Sequence, residues 1–292
     1  MSAAASSRIP FSAYLAHVGL PAELASLVPA ASLPLAQQWS APVAAADFAE
    51  VDLDALLKYR VPKLTGGACS RKLEYEDAPF DLGAFLGVPS AVAAARQHAE
   101  VARIHRLDAA VAAWHAQTGC DWFGVYHVRR LPAADQSAAA NDGAAASPSF
   151  GLVKEAYRGL ASRAIFPLTA AFALQSNNSH VGLHASARLI PDLDAYEGAY
   201  YECDAKVKSE LCVPIIDLRG AALDTAAPVG SSDRQSDDDS HGAFITSPAT
   251  GVDRPAVRVR GIIDAESFTP NFFTPEIIAR VAHAAYELGF VY

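Results

Sequence analysis

The stretch PDLDAYEGAYYECDAKVKSELCVPII, residues 191–216, decides how the rest of the chain is read. Its last seven residues, ELCVPII, form a short continuous apolar run after a turn-rich approach, the pattern of a buried strand. Two of the chain's four cysteines, Cys203 and Cys212, stand in it, with Glu210 between them. Thiols beside a carboxylate, in a chain otherwise poor in cysteine, are its strongest chemical signal.

Downstream, RGAALDTAAPVGSSDRQSDDDSHGAF (residues 219–244) is acidic and rich in Ser and Asp. It reads as a surface insertion, with the acidic run 237–239 as a solvated loop. RPAVRVRGIIDAES (254–267) then closes a hairpin across the insertion. Thr274 caps and Pro275 opens a last helix, with Ile277, Ile278, Val281, Ala285 and Leu288 on its apolar face.

Upstream, ARLIPD (187–192) reads as a short strand and 180–187 as a helix. DWFGVYHV (121–128) and FGLVKEAY (150–157) read as an antiparallel pair, whose turn is lengthened by the small residues of 131–149. Before them Ser90 is the expected N-cap of a helix. Val101, Ile104, Leu107, Val111 and Trp114 share its apolar face, and Gly119 ends it.

Prolines 10, 21, 29, 34, 42, 62, 79 and 89 restrict residues 1–90 to short helices, such as one over 52–59. Leu56, Leu57, Phe80 and Phe85 are expected to anchor this segment on a neighbouring domain. Cys69 reads as a surface thiol. The division expected is an N-terminal extension, 1–90, and one domain, 91–292, with insertions near 131–149 and 219–254. Helices and strands segregate along the chain, which indicates an α+β fold around an antiparallel sheet.

Composition limits the function. The chain has 292 residues, 51% of them hydrophobic, enough for a sizeable core. A net charge of -9 argues against a nucleic-acid partner, since phosphate contacts need clustered Lys and Arg. None of the four cysteines forms a CxxC pair, which points to a reducing compartment. The absence of an apolar run of about eighteen residues argues against a membrane span. The N-terminus lacks the basic start and apolar centre of a secretory signal. As a mitochondrial leader it offers only Arg8 before His17, so the cytoplasm is the default.

Strand parity groups the candidate site residues. Trp122 and Tyr126 share a face, as do Asp264 and Glu266, and Glu210 and Cys212. Two carboxylates on one face of a core strand are costly unless they meet a cation or one stays protonated. A ligand ammonium meets that need; a strand end in solvent removes it. His180 and His184 are four apart on the expected helix, but HVGLH lacks the Glu of HExxH and no third ligand is near. They read as helix-surface histidines, and neither a metal nor a cofactor is expected.

Three motifs in order, WFGVY, then IPDLDAYEGAYYECDAKVKSELCVP, then GIIDAES, resemble a GAF domain over residues 95–292. Within that class they resemble the free methionine-(R)-sulfoxide reductases. The resemblance implies reduction of free L-methionine (R)-S-oxide to methionine by a thiol mechanism. Cys203, in the Cys-Asp step with Asp204, takes the role of attacking thiol. Glu210, Asp264 and Glu266 take the roles of binding the ammonium and protonating the oxygen. Trp122 and Tyr126 wall the pocket, and Asp204 joins the substrate contacts. The partners implied are a small free amino acid and a thiol reductant such as thioredoxin. A homodimer follows by analogy alone.

The chain also departs from that family. Two further cysteines are usual before the Pro-Asp step, and here Ser162 and Asn178 stand at the matching positions. Glu266 is one methylene longer than the usual Asp. Cys212, on the Glu210 face, or Cys120, which shares the parity of Trp122 and Tyr126, is the internal stand-in for a resolving thiol, if either comes within about 7 Å of Cys203. A small external thiol is another, and Cys212 also reads as a structural thiol. A GAF domain that binds a small molecule or senses redox state without turnover is the alternative reading.

Overall fold

The computed structural model describes residues 8–28, 39, 50–65, 68–69, 74–132, 150–201, 204–219, 235–238, 242–247 and 257–292. Cys203, the candidate nucleophile, lies outside the described residues.

Helices α1 (Phe11–His17), α2 (Leu53–Leu57), α3 (Ala99–Thr118), α4 (Asn177–His184) and α5 (Pro275–Leu288) surround one sheet of eight strands. Its strands are β1 (Trp122–Arg130), β2 (Phe150–Arg158), β3 (Ile165–Pro167) and β4 (Arg188–Ile190), then β5 (Ser209–Ile216), β6 (Gln235–Asp238), β7 (Gly242–Ser247) and β8 (Val257–Ser267). Every pairing in it is antiparallel, in the order β4-β5-β8-β1-β2-β3, with β7 and β6 added at the start of β8. This is the expected α+β architecture, and β1 pairs with β2 and β5 with β8 as the hairpins require.

The sheet is buried on both faces. One face carries Phe123, Val125, Leu211, Val213, Ile263 and Ala265, packed on α3 and α5 in the main core. Thr274 caps α5 by accepting from the backbone N–H of Ile277, and Val281, Ala285 and Leu288 are buried in that core. The opposite face carries Trp122, Tyr126, Leu152, Cys212 and Ile262, covered by Val181 of α4 with Phe172 and Tyr201. Gly182 lets α4 lie close on the sheet, since a Cβ there would sit 2.8 Å from Leu168 Cδ2. Each fully buried aliphatic side chain contributes roughly 1.5–3 kcal/mol of transfer free energy.

Several boundaries differ from expectation. Ser90 caps nothing. A short turn of helix, Val92–Ala95, precedes α3, whose N-cap is His98. The three- and four-residue spacing begins only at Val101, so nothing apolar drives the helix back to Ser90. Gly119 does end α3, in the left-handed region at φ 69°. Helix α4 begins earlier than expected because Ser176 accepts from Ser179 N–H, and it ends at left-handed Ala185. Residues 52–59 divide into α2, capped by Asp52, and a two-residue strand, Lys58–Tyr59, paired with Phe80–Asp81. The acidic insertion contributes β6 and β7, so Asp237 and Asp238 are strand residues, while Asp239 lies outside the described residues. Phe244 and Ile245, both buried, supply the reason that the acidic composition conceals.

The N-terminal segment enters two cores. Leu57 is buried beside Val101, Ile104 and Val153, with Leu56, Phe80 and Phe85 packed around them. Tyr14, Leu15 and Val18 belong to the main core itself. Strand β4 pairs only with the first part of β5, leaving Pro214 beyond its reach. Proline has no N–H to offer a further strand, and its carbonyl instead accepts the Tyr14 hydroxyl at 2.6 Å.

Candidate functional site

Strand register assembles the site. Glu266 lies opposite Trp122 on one side and Glu210 on the other, and Asp264 lies opposite Gly124 and Cys212. Directly paired residues point to the same face. Trp122, Glu210, Cys212, Asp264 and Glu266 therefore share the α4 side of the sheet, with Tyr126 two pairs along. The Trp122 indole lies flat on Gly124, where a Cβ would come within 2.2 Å of its ring. The indole N–H donates to the Leu160 carbonyl at 3.0 Å.

The carboxylates are deeply buried: Glu210 and Asp264 are 2% exposed and Glu266 5%. Burial pushes the Glu210 carboxyl up, with only partial relief from Asn177, Tyr200 and Arg188. Burial, followed by the charge of Glu210, holds Asp264 well above the usual carboxylate range. One oxygen of each, Glu210 Oε2 and Asp264 Oδ1, accepts from no protein donor. The two carboxyls act on each other as well, and that interaction raises Asp264 while it lowers Glu210. Arg188 faces the pair from β4, its guanidinium bonded to the Tyr196 hydroxyl.

The positions expected to hold thiols in this fold are polar and buried. Asn178, on α4, donates its amide to Asp264 Oδ2 at 3.0 Å. Ser162 Oγ accepts from Lys154 Nζ at 2.9 Å and lies 3.4 Å from the Tyr126 hydroxyl. Lys154 is fully buried, opposite Tyr126 in the register, and sequence reasoning missed it. The signal was present in FGLVKEAY, where a lysine interrupts a core strand.

The two stand-in thiols part company. Cys212 is on the site face, and burial pushes its thiol well above the ordinary value, with the charges of Asp264 and Glu210 adding to the effect. Cys120 does not share the Trp122 face. It precedes β1, where alternation no longer governs direction, and it packs with Phe123 and Val125 in the opposite core. Burial raises its thiol to about 11. Neither supplies a thiolate near neutral pH. Asp204 accepts from the Lys206 N–H at 2.9 Å, so its carboxylate caps a turn. The rings of His180 and His184 lie 4.5 Å apart on α4. Among the described residues, no group of three or more His, Cys, Asp or Glu is placed to hold a metal ion. No described helix is long and apolar enough to cross a membrane.

No protein-family model matches the chain, and no curated protein matches it. Solved structures do. The chain is similar to the free methionine-R-sulfoxide reductase of Neisseria meningitidis in complex with its substrate, at 14% identity and a TM-score of 0.37 over 64% of this chain and 77% of that one. It is similar to the type II enzyme of Thermoplasma acidophilum, at 15% identity and 0.37 over 62% and 85% of the two chains. It is also similar to the GAF domain of an Acinetobacter phosphoenolpyruvate-protein phosphotransferase, at 13% identity and 0.37 over 64% and 79%. These are the two classes that the sequence motifs resemble.

Proposed function

We propose that the site face binds a free amino acid by its ammonium group and that the chain reduces free L-methionine (R)-sulfoxide at the expense of external thiols. The observation that carries this reading is the buried Glu210–Asp264 pair, with one oxygen on each that no protein donor reaches. Glu210 and Glu266 take the ammonium, and Asp264 keeps its proton for the oxygen. Trp122 and Tyr126 wall the thioether end. Cys203 is assigned as the thiol by the resemblance of the Cys-Asp step alone.

In the first half-reaction the Cys203 thiolate attacks sulfur while Asp264 gives its proton to the sulfoxide oxygen. The hydroxyl then passes to the Cys203 sulfur as the S–O bond and the new S–S bond break, methionine leaves, and Cys203 becomes a sulfenic acid. One thiol converts that acid to a mixed disulfide and water. A second releases Cys203 and leaves as the disulfide of the reductant. External thiols are required because Ser162 and Asn178 carry no sulfur and Cys212 stays protonated.

A non-catalytic ligand-binding role is the second reading. It is favoured by Ser162 and Asn178, both tied by hydrogen bonds into the floor of the site. Incubation with free methionine-(R)-sulfoxide and either dithiothreitol or thioredoxin separates the two. Turnover lost in Cys203→Ser supports the reductase. No turnover with either reductant leaves the binding role.

A further inference from the structure

A cavity of about 500 Å³ opens beside the turn that follows β2. Its walls come from the N-terminal segment, through Tyr59, Arg60 and Tyr75, and from the end of β2 and its turn, through Tyr157, Arg158 and Leu160. That volume falls within the range of roughly 300–1,000 Å³ usual for small-molecule sites.

The lining has a definite chemistry. Tyr59 and Tyr157 meet edge to face at 5.6 Å. The buried Lys154 ammonium stands behind both rings, 4.7 Å from the Tyr59 centroid and 4.0 Å from that of Tyr157. Arg60 stacks on Tyr75 at 3.8 Å. The other lining charges are neutralised. Arg158 binds Asp108 through two hydrogen bonds of 2.7 and 2.9 Å, and Lys58 pairs with Asp54 at 2.8 Å. Glu155 is held by Arg103 and Arg129 at 2.6 and 2.7 Å. Among the described residues Arg60 has no carboxylate partner, and the Tyr75 and Tyr157 hydroxyls have no hydrogen-bond partner.

The geometry points to a second ligand site in this cavity, one that takes a flat aromatic ring carrying a single carboxylate. The ring lies against the tyrosines, which suit it in stacked or edge-on contact. The carboxylate meets the planar guanidinium of Arg60 in a two-point bond. The tyrosine hydroxyls donate to whatever acceptors the ligand carries. An uncharged ring leaves Arg60 unmatched. The cavity stands apart from the buried carboxylates but borders the aromatic wall beside them. Tyr157 stacks on Trp122 at 6.1 Å and 22°, and the Leu160 carbonyl holds the Trp122 indole N–H. Occupancy therefore bears on the ring that walls the first site.

The test is calorimetric titration of the full chain with benzoate, phenylacetate and 4-hydroxybenzoate, with benzamide as the uncharged control. Saturable binding of an aromatic carboxylate is expected. Arg60→Glu, at an exposed position, is expected to leave the circular dichroism unchanged and to weaken binding about tenfold or more. Tyr75→Ala should weaken it as well. Absence of saturable binding for all three carboxylates overturns the inference. So does equal affinity for benzamide, or an affinity untouched by Arg60→Glu.

Discussion

Asn178 donates its side-chain amide to Asp264 Oδ2 at 3.0 Å, across 86 positions of sequence. A hydrogen-bond donor therefore stands where the resembled family carries a thiol. It occupies one oxygen of the buried acid, while the other, Oδ1, is buried without a hydrogen-bond partner. The proposed ammonium-binding, proton-donating site uses this arrangement without a second sulfur.

Asp264→Asn separates binding from chemistry. The amide still accepts from Asn178 and keeps the shape of the site, but it has no proton to give. The rate of turnover, kcat, should fall by about 100-fold or more while KM for the sulfoxide changes little. In the unsubstituted protein turnover should decline as pH rises through the raised pKa of Asp264, because the acid is then lost.

The same substitution should stabilise the protein. The folded-state pKa of Asp264 lies above its unfolded value, so the unfolded chain gives up its proton first as pH rises. Stability from this group is fully present below about pH 4 and is lost as pH climbs through the folded pKa. Urea denaturation should show Asp264→Asn gaining on the parent with increasing pH, by roughly 1–3 kcal/mol at neutrality. A constant difference from pH 4 to 8 contradicts a raised Asp264.

Glu155 has the opposite sign. Its carboxylate is fully buried and binds Arg103 at 2.6 Å, Arg129 at 2.7 Å and His127 at 2.6 Å. Burial pushes its pKa up, but the charges of Arg103 and Arg129 prevail and hold it well below the usual range. Its contribution is present above the unfolded pKa and lost as pH falls through the folded one. Glu155→Gln removes the buried carboxylate that Arg103 and Arg129 share, leaving them Glu100, and should cost roughly 1.5–3 kcal/mol in a denaturation series.

Gly124→Ala tests the aromatic wall. A Cβ placed there comes 2.2 Å from the Trp122 ring, so the indole must leave its seat and its bond to Leu160. The expected cost is about 1–3 kcal/mol of stability. Sulfoxide affinity should drop, and Trp122→Phe at unchanged Gly124 should be milder on both measures.

Much of this was legible in the sequence. ELCVPII and GIIDAES read as core strands because their apolar runs have no other home, and parity within each strand grouped the carboxylates. Cross-strand register set Glu210 against Glu266 and Cys212 against Asp264, which no single strand reveals. Cys120 misled because parity ends where the strand does. Lys154 and Tyr14 were missed because their partners, Ser162 and Pro214, are brought to them by tertiary packing. Composition hid β6 and β7, because β6 carries Asp237 and Asp238 and only Phe244 and Ile245 of β7 show a buried apolar pair.

The most direct test of the central claim is calorimetric titration of the protein with free methionine-(R)-sulfoxide and with its analogue lacking the α-amino group. The account predicts saturable binding of the amino acid, at least about tenfold weaker binding of the analogue, and loss of that difference in Glu210→Gln. Equal affinity for the two compounds would contradict an ammonium held by Glu210 and Glu266.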